Sequence, residues 1–278
     1  MSRAQKQRYI QEVPKAVAGR EVRMKHQIKP KNFAQEMYVE SLQTAQLTIG
    51  AGPAGSGKTY LVTSVAVQKL IDNEVSKIVL TRPVVQAGED LGFLPGTLEE
   101  KLDPYLKPLM DALEEHVGPT MAKQLMERGK IEIAPLAYMR GRTFNNAYVI
   151  LDEAQNTTVE QIRMFVTRQG FNSQFAINGD VTQSDLQRPR DAGPDWENGL
   201  QYISRKLKGR DEHINYIEFQ NRDVVRSPIV QRVLTYLDSP EERKADAVEP
   251  SPRRSHGRNS EARSADIDGP KGVTLLQA

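Results

Sequence analysis

The chain contains no cysteine. Disulfide bonds, thiolate metal sites and cysteine nucleophiles are therefore excluded, and the composition suits a reducing compartment. Histidine is scarce: His26, His116, His213 and His256 are scattered, which argues against a histidine-built metal centre. No stretch approaches the ~18 consecutive apolar residues of a membrane helix, and the start, Met1-Ser2-Arg3-Ala4-Gln5-Lys6, leads into no apolar signal region. The expectation is a soluble, cytoplasmic protein with no membrane partner. Hydrophobic residues make up only 38% of the 278 positions, and the polar ends account for that low share.

Net charge is small, +2, but unevenly placed. Residues 1–32 carry nine Lys or Arg against Glu12 and Glu21, so this arm is at +7. Residues 241–278 hold seven charges of each sign, which leaves the middle at −5. A basic arm on a mildly acidic body suits phosphate contacts with a nucleic acid, and suits plain solvation equally well. Composition thus divides the chain into a basic, flexible arm at 1–32, one domain-sized body at 33–238, and a disordered tail at 239–278 rich in Ser, Pro, Arg, Glu and Asp.

What is present is concentrated first at Leu47 to Leu70. A short apolar run, Leu47-Thr48-Ile49, leads into Gly52-Pro53-Ala54-Gly55-Ser56-Gly57-Lys58-Thr59, then Tyr60 and an apolar helical segment. Gly, four residues, Gly-Lys-Thr is the phosphate-binding loop of nucleoside triphosphatases. Its glycines let the backbone fold back so that successive N–H groups face one anion, and the helix that follows adds the positive end of its dipole. Lys58 would reach the outer phosphates of ATP, and the Thr59 hydroxyl would hold Mg²⁺.

A helix is predicted over Asn32 to Leu42, with apolar positions at 34, 38, 39 and 42; because it ends just before this strand, Gln35 suits a place beside the nucleotide base as well as a plain surface position. Lys77 to Arg82 reads as a buried parallel strand stopped by Pro83. Ligands of open α/β sheets bind beyond the carboxyl ends of the strands, so Arg82 and the loop from Val84 to Gly96 face the substrate side. Asp103-Pro104 reads as a helix start, and Leu106, Leu109, Met110 and Leu113 line one face after it. In Tyr138-Met139-Arg140-Gly141-Arg142-Thr143, two arginines flank a glycine beside an aromatic, a grouping that suits phosphate or base contacts as well as solvation.

Tyr148-Val149-Ile150-Leu151 is an apolar strand that delivers Asp152-Glu153 at its end. Asp152 would act near Mg²⁺, and Glu153 would take a proton from attacking water. Thr157-Thr158-Val159-Glu160 matches a capping box ahead of a helix with Ile162, Phe165 and Val166 inward. A further strand, Gln174 to Asp180, would bring Gln183 to the same edge, where its amide senses a γ-phosphate. Arg226, after a late strand at 215–219, would supply positive charge to the transition state, in cis or to a neighbouring subunit. A closing helix is expected at 227–237.

Taken together, the motifs at 52–59, 80–83, 88–96, 134–143, 151–156 and 179–183 resemble the PhoH family, the phosphate-starvation-inducible ATPases related to superfamily-one helicases. The resemblance covers roughly Lys31 to Leu237. It implies an α/β, RecA-like core with a mostly parallel sheet flanked by helices, with Lys58 and Thr59 on phosphate and Mg²⁺, Asp152 and Glu153 as metal and water-activating carboxylates, and Gln183 as sensor. It also implies that Gln35 resembles the base-reading glutamine and Arg226 the finger-like arginine, although Ser227 stands where relatives usually have histidine. Ring assemblies, with six subunits as the implied size, and action on RNA or single-stranded DNA complete the expectation. The nuclease domain fused to some relatives is not expected here. Two rivals to an ATPase are an ATP-controlled binding switch with negligible hydrolysis and, more weakly, a small-molecule kinase.

Overall fold

The computed structural model describes residues 16–17, 20–84, 98–186, 188–189 and 193–237. The motif at 88–96, the start of the basic arm and the tail from 239 lie outside the described residues.

A six-stranded sheet forms the centre: β3 (Leu47–Ala51), β4 (Lys77–Arg82), β5 (Ile131–Pro135), β6 (Ala147–Leu151), β7 (Gln174–Gly179) and β8 (Ile214–Glu218). Their order is β5-β4-β6-β7-β3-β8, and every adjacent pair is parallel. Parallel neighbours require crossovers, and the helices that supply them cover both faces. Strand β6 shows the consequence in its side chains. Tyr148 and Ile150 enter one apolar cluster, Val149 and Leu151 the other, and all four are buried.

The first cluster is closed by α1 (Phe33–Thr44), α2 (Lys58–Ile71), α3 (Leu98–Val117) and α4 (Pro119–Glu127). The second is closed by α5 (Val159–Val166) and α6 (Gly199–Leu207), through Ile162, Phe165, Leu200 and Ile203. Each such side chain contributes about 1.5–3 kcal/mol on burial. The phosphate-loop strand β3 is separated from the carboxylate strand β6 by β7, which is the RecA-like arrangement.

Two local expectations are corrected. The helix expected to start at Asp103-Pro104 begins at Leu98 and carries Pro104 and Pro108 in its interior. Leu109 and Leu113, fully buried on one stripe, dock it against the sheet, and that packing outweighs the backbone hydrogen bonds the prolines forgo. The capping box of α5 is shifted by one residue. Thr158 Oγ1 accepts from Gln161 N at 3.2 Å and Gln161 Oε1 accepts from Thr158 N at 2.9 Å. Thr157 is not available as the cap, because its buried hydroxyl donates to Ala154 O at 2.6 Å.

Within the basic arm, β1 (Ala16–Val17) pairs antiparallel with β2 (Arg20–Glu21). Val22 is buried in the first cluster, and Lys25 N donates to His116 O at 2.8 Å. A final helix, α7 (Pro228–Leu237), belongs to a unit distinct from the one that holds the sheet.

Candidate active site

The loop after β3 depends on three glycines. Gly52 has φ of 150°, and a Cβ there would lie 2.5 Å from Phe219 O. Gly55 and Gly57 are left-handed, at 83° and 85°. Gly57 caps α2 without a side-chain hydrogen bond, so the helix presents its first N–H groups and its dipole to the cleft in front.

Lys58 is buried, and its ammonium is held inside the loop. Nζ donates to Gly52 O at 2.7 Å, Pro53 O at 2.9 Å and Ser56 Oγ at 3.1 Å. Burial pushes its pKa down, opposed by Asp152, Asp180 and Glu153. Across the cleft, Thr59 Oγ1 donates to Asp152 Oδ1 at 2.9 Å. Asp152 is buried and its carboxyl is pushed up to about 6, chiefly by desolvation, with Glu153 adding and Arg82, Thr59 and Lys58 opposing. The two shifts share one cause: a cation and an anion are desolvated beyond what their neighbours compensate. A polyphosphate beside Lys58 and a divalent cation beside Thr59 and Asp152 would supply that compensation. A hydroxyl and a carboxylate are the hard oxygen donors that Mg²⁺ takes together with substrate phosphates.

Glu153 occupies a left-handed conformation, φ 54° and ψ 42°, which for a non-glycine residue costs about 1 kcal/mol or more. That turn aims its carboxylate back to the sheet edge. Arg82 Nη2 lies 3.1 Å from Oε1, and Gln155 Nε2 donates to Oε2 at 2.5 Å. Gln155 Oε1 in turn accepts from Asp180 N at 3.0 Å. Asp180 Oδ1 accepts from Thr182 N at 2.9 Å and from Thr182 Oγ1 at 2.6 Å, while its buried Oδ2 has no hydrogen-bond partner among the described residues. Gly179 makes this corner possible, since a Cβ there would lie 2.5 Å from Gln155 Oε1 and 2.7 Å from Leu200 Cδ2.

These residues share one cleft of about 320 Å³. Ala54, Gly55, Gly57, Lys58, Thr59, Tyr60, Asp152, Glu153 and Gln183 line it, together with Gln155, Gly179 and Asp180. Gln183 is exposed at the rim. Gly52, Pro53 and Ser56 serve the cleft through the atoms that hold Lys58. Behind Tyr60, His116 Nε2 lies 3.0 Å from the Tyr60 carbonyl, and its ring centroid is 4.5 Å from the Tyr60 ring. Burial pushes the imidazole's pKa down.

Gln35 and Arg226 brace the loop from its flanks. Gln35 is buried: its Nε2 donates to Ser56 O at 2.9 Å and its Oε1 accepts from Lys31 N at 2.8 Å. Its position is fixed by the cap of α1, where Asn32 Oδ1 accepts from Gln35 N at 2.9 Å and Asn32 Nδ2 donates to Asp223 O at 3.1 Å. Val225 N then donates to Gly55 O at 2.9 Å, and Arg226 Nη2 donates to Ala54 O at 3.2 Å. Arg226 therefore sits on the loop of its own chain. Two features escape the sequence motifs: the grip of Arg82 on Glu153 and the bridging role of Gln155. The only sequence signal for the second is its place two residues after Glu153 in Asp-Glu-Ala-Gln.

A family model described as PhoH-like protein matches residues 27–238. The chain is 50% identical over 230 residues to a PhoH-like protein of Bacillus subtilis (strain 168), covering 83% of this chain and 68% of the relative. It is 48% identical over 225 residues to a PhoH-like protein of Synechocystis sp., covering 81% and 66%. The chain thus spans about two thirds of the length of these relatives. Among solved structures, the large terminase of a thermophilic bacteriophage in complex with ADP is similar at 14% identity and a TM-score of 0.44, over 74% of this chain and 50% of that one.

Proposed function

The chain belongs to the PhoH-like family, and from that premise we propose that it binds ATP with Mg²⁺ in the cleft at the carboxyl edge of the sheet, hydrolyses it, and couples turnover to RNA or single-stranded DNA as a cytoplasmic, ring-forming homo-oligomer. The observation that carries the reading is the 2.9 Å hydrogen bond from Thr59 to Asp152. It joins the phosphate loop to the carboxylate strand across the intervening β7. Among the described residues no helix is long and apolar enough to cross a membrane.

The roles follow from position. The loop N–H groups and Lys58 bind the phosphates, and Lys58 exchanges its loop carbonyls for phosphate oxygens. Thr59 and Asp152 hold Mg²⁺, which when bound neutralises charge on the phosphates. Glu153 takes the proton of the attacking water, and Gln183 at the rim senses the γ-phosphate. Arg226 stabilises developing charge in cis, in keeping with its seat on Ala54. Gln35 fastens the loop through Ser56, and it would read the base by exchanging that contact. The body at 33–238 carries this chemistry, with the arm at 1–32 supplying electrostatic attraction to nucleic acid.

One observation favours the second reading, an ATP-controlled binding switch: both carboxylate oxygens of Glu153 are engaged by Arg82 and Gln155. Steady-state ATP hydrolysis by the full chain and by Glu153→Gln separates the two. The ATPase predicts a loss of about 10²–10⁴-fold with ATP binding retained. Equal turnover in both chains would remove the catalytic role, and absence of turnover in either would leave the switch.

A further inference from the structure

Arg82 ends β4 at the carboxyl edge, and its guanidinium is shared between two elements. Nη2 pairs with Glu153 Oε1 at 3.1 Å, and Nη1 donates to Tyr105 O on α3 at 3.4 Å. With Gln155 on Oε2, the carboxylate placed to take a proton from water is held from both sides by the protein's own donors. Arg82 and Glu153 side chains are 21% and 36% exposed, so this is a solvent-reached pair that an incoming anion displaces at little cost.

The register of β4 with β5 sets Arg82 opposite Pro135. From there the chain enters the single turn Leu136–Met139, which buries Leu136 and Met139 and leaves Tyr138 50% exposed. Arg140 follows, also exposed, and Gly141, left-handed at 76°, turns the chain. Arg142 is committed elsewhere, with its guanidinium on both oxygens of Glu132. An aromatic ring and a guanidinium two residues apart, one strand over from Arg82, make a pairing that takes an unstacked base and its phosphate.

We propose that this edge receives single-stranded nucleic acid and that Arg82 relays its arrival to Glu153. A base stacks on Tyr138, phosphates bond Arg140 and Arg82, and the Arg82 guanidinium leaves Glu153 Oε1. The released carboxylate then accepts a proton from water as the water oxygen bonds the γ-phosphorus; the bond from that phosphorus to the β–γ bridging oxygen breaks, and ADP departs with the electron pair. Arg82 is a positioning residue acting through Glu153. The inference rests on the ATPase reading above, and it explains how one site shows the held carboxylate of a switch yet performs hydrolysis.

The test compares ATP hydrolysis by the full chain, Arg82→Ala and Arg82→Lys, each with and without oligouridine or oligothymidine, alongside binding of labelled oligouridine by fluorescence anisotropy. The full chain is stimulated by the polymer. Arg82→Ala raises polymer-free turnover about threefold, the worth of a solvent-reached ion pair, and brings the ratio of stimulated to unstimulated turnover close to unity. Arg82→Lys keeps the charge and returns both quantities toward those of the parent. Tyr138→Ala combined with Arg140→Ala weakens oligouridine binding about tenfold. An Arg82→Ala chain that keeps the parental ratio overturns the inference and leaves the ATPase standing. So does a chain in which both rates fall together and Arg82→Lys behaves no better. Parental turnover no greater than that of Glu153→Gln would remove the ATPase reading, and this inference with it.

Discussion

The two ends of the same parallel sheet carry clefts of different character. At the amino ends of the strands lies a cleft of about 940 Å³ lined by Gln46, Asn145, Gln169, Asn172, Gln174 and other polar residues. It is the roomier of the two, yet several of its polar groups are bonded within the fold. Asn145 Oδ1 accepts from Phe171 N, Gln169 Nε2 donates to Gln46 O and Ser173 O, and Gln174 Nε2 donates to Ala45 O. Lys69 is paired with Glu74 at 2.8 Å. At the carboxyl ends, a cleft of about 320 Å³ holds a buried lysine on borrowed carbonyls, a left-handed Glu153 and a buried Asp180 oxygen without a partner among the described residues. Size does not mark the site. A cluster of buried charge does, in Lys58, Asp152 and Asp180, together with a left-handed glutamate; Asn172 in the larger cleft is also left-handed, φ 55°, but asparagine adopts that conformation readily.

The contrast is broken most severely by Lys58→Ala, which should lower ATP affinity about 100-fold, or about 3 kcal/mol, as isothermal titration would show. Next comes Gly179→Ala. Its methyl meets Gln155 and Leu200, so the expected loss is about 2 kcal/mol in urea denaturation, with the Glu153 corner displaced. A third prediction concerns charge that serves stability alone. Glu132 is held at about 2, below its usual 4.5, first by the Arg142 hydrogen bonds and then by Lys77. Its folded-state pKa is depressed, so its contribution is complete above about pH 4.5 and is lost as pH falls toward 2. Glu132→Gln should cost about 1 kcal/mol at neutral pH, since the pairs are partly solvated, and the gap between the two chains should close across that window. The smallest effect belongs to the amino end. Phe171 is 86% exposed, and Phe171→Ala should change stability by less than about 0.5 kcal/mol. A tenfold change in ATP affinity on that substitution would erase the distinction between the two ends.

How much of this is legible in the sequence depends on the range of the interaction. The phosphate loop is readable because its demands are local: glycines at 52, 55 and 57 and a helix starting at Lys58. Asp152-Glu153 is readable because an apolar strand directly precedes it. The periods also give parallel strands and their faces. They do not give strand order, and so they cannot show that β4 lies beside β6 and brings Arg82 to Glu153. Nor do they show that Gln35 fastens the loop, since that depends on α1 crossing behind Ser56. Asp103-Pro104 misleads for a related reason. A start signal acts within one turn, whereas Leu109 and Leu113 dock the whole of α3.

The internal bonding of Lys58 has a consequence for selectivity. An ammonium has three protons to donate, and Gly52 O, Pro53 O and Ser56 Oγ take all of them. The loop is thus an intramolecular competitor for its own cation, and every anion that enters is weighed against it. A small anion that replaces only one contact leaves the others strained or unmet, at about 1–3 kcal/mol for each buried group. A polyphosphate would take the place of these acceptors at once and would accept from the N–H groups of α2 as well. On the proposed function, discrimination by phosphate chain length would arise from the number of bonds exchanged at once, and would require no wall to shut shorter anions out.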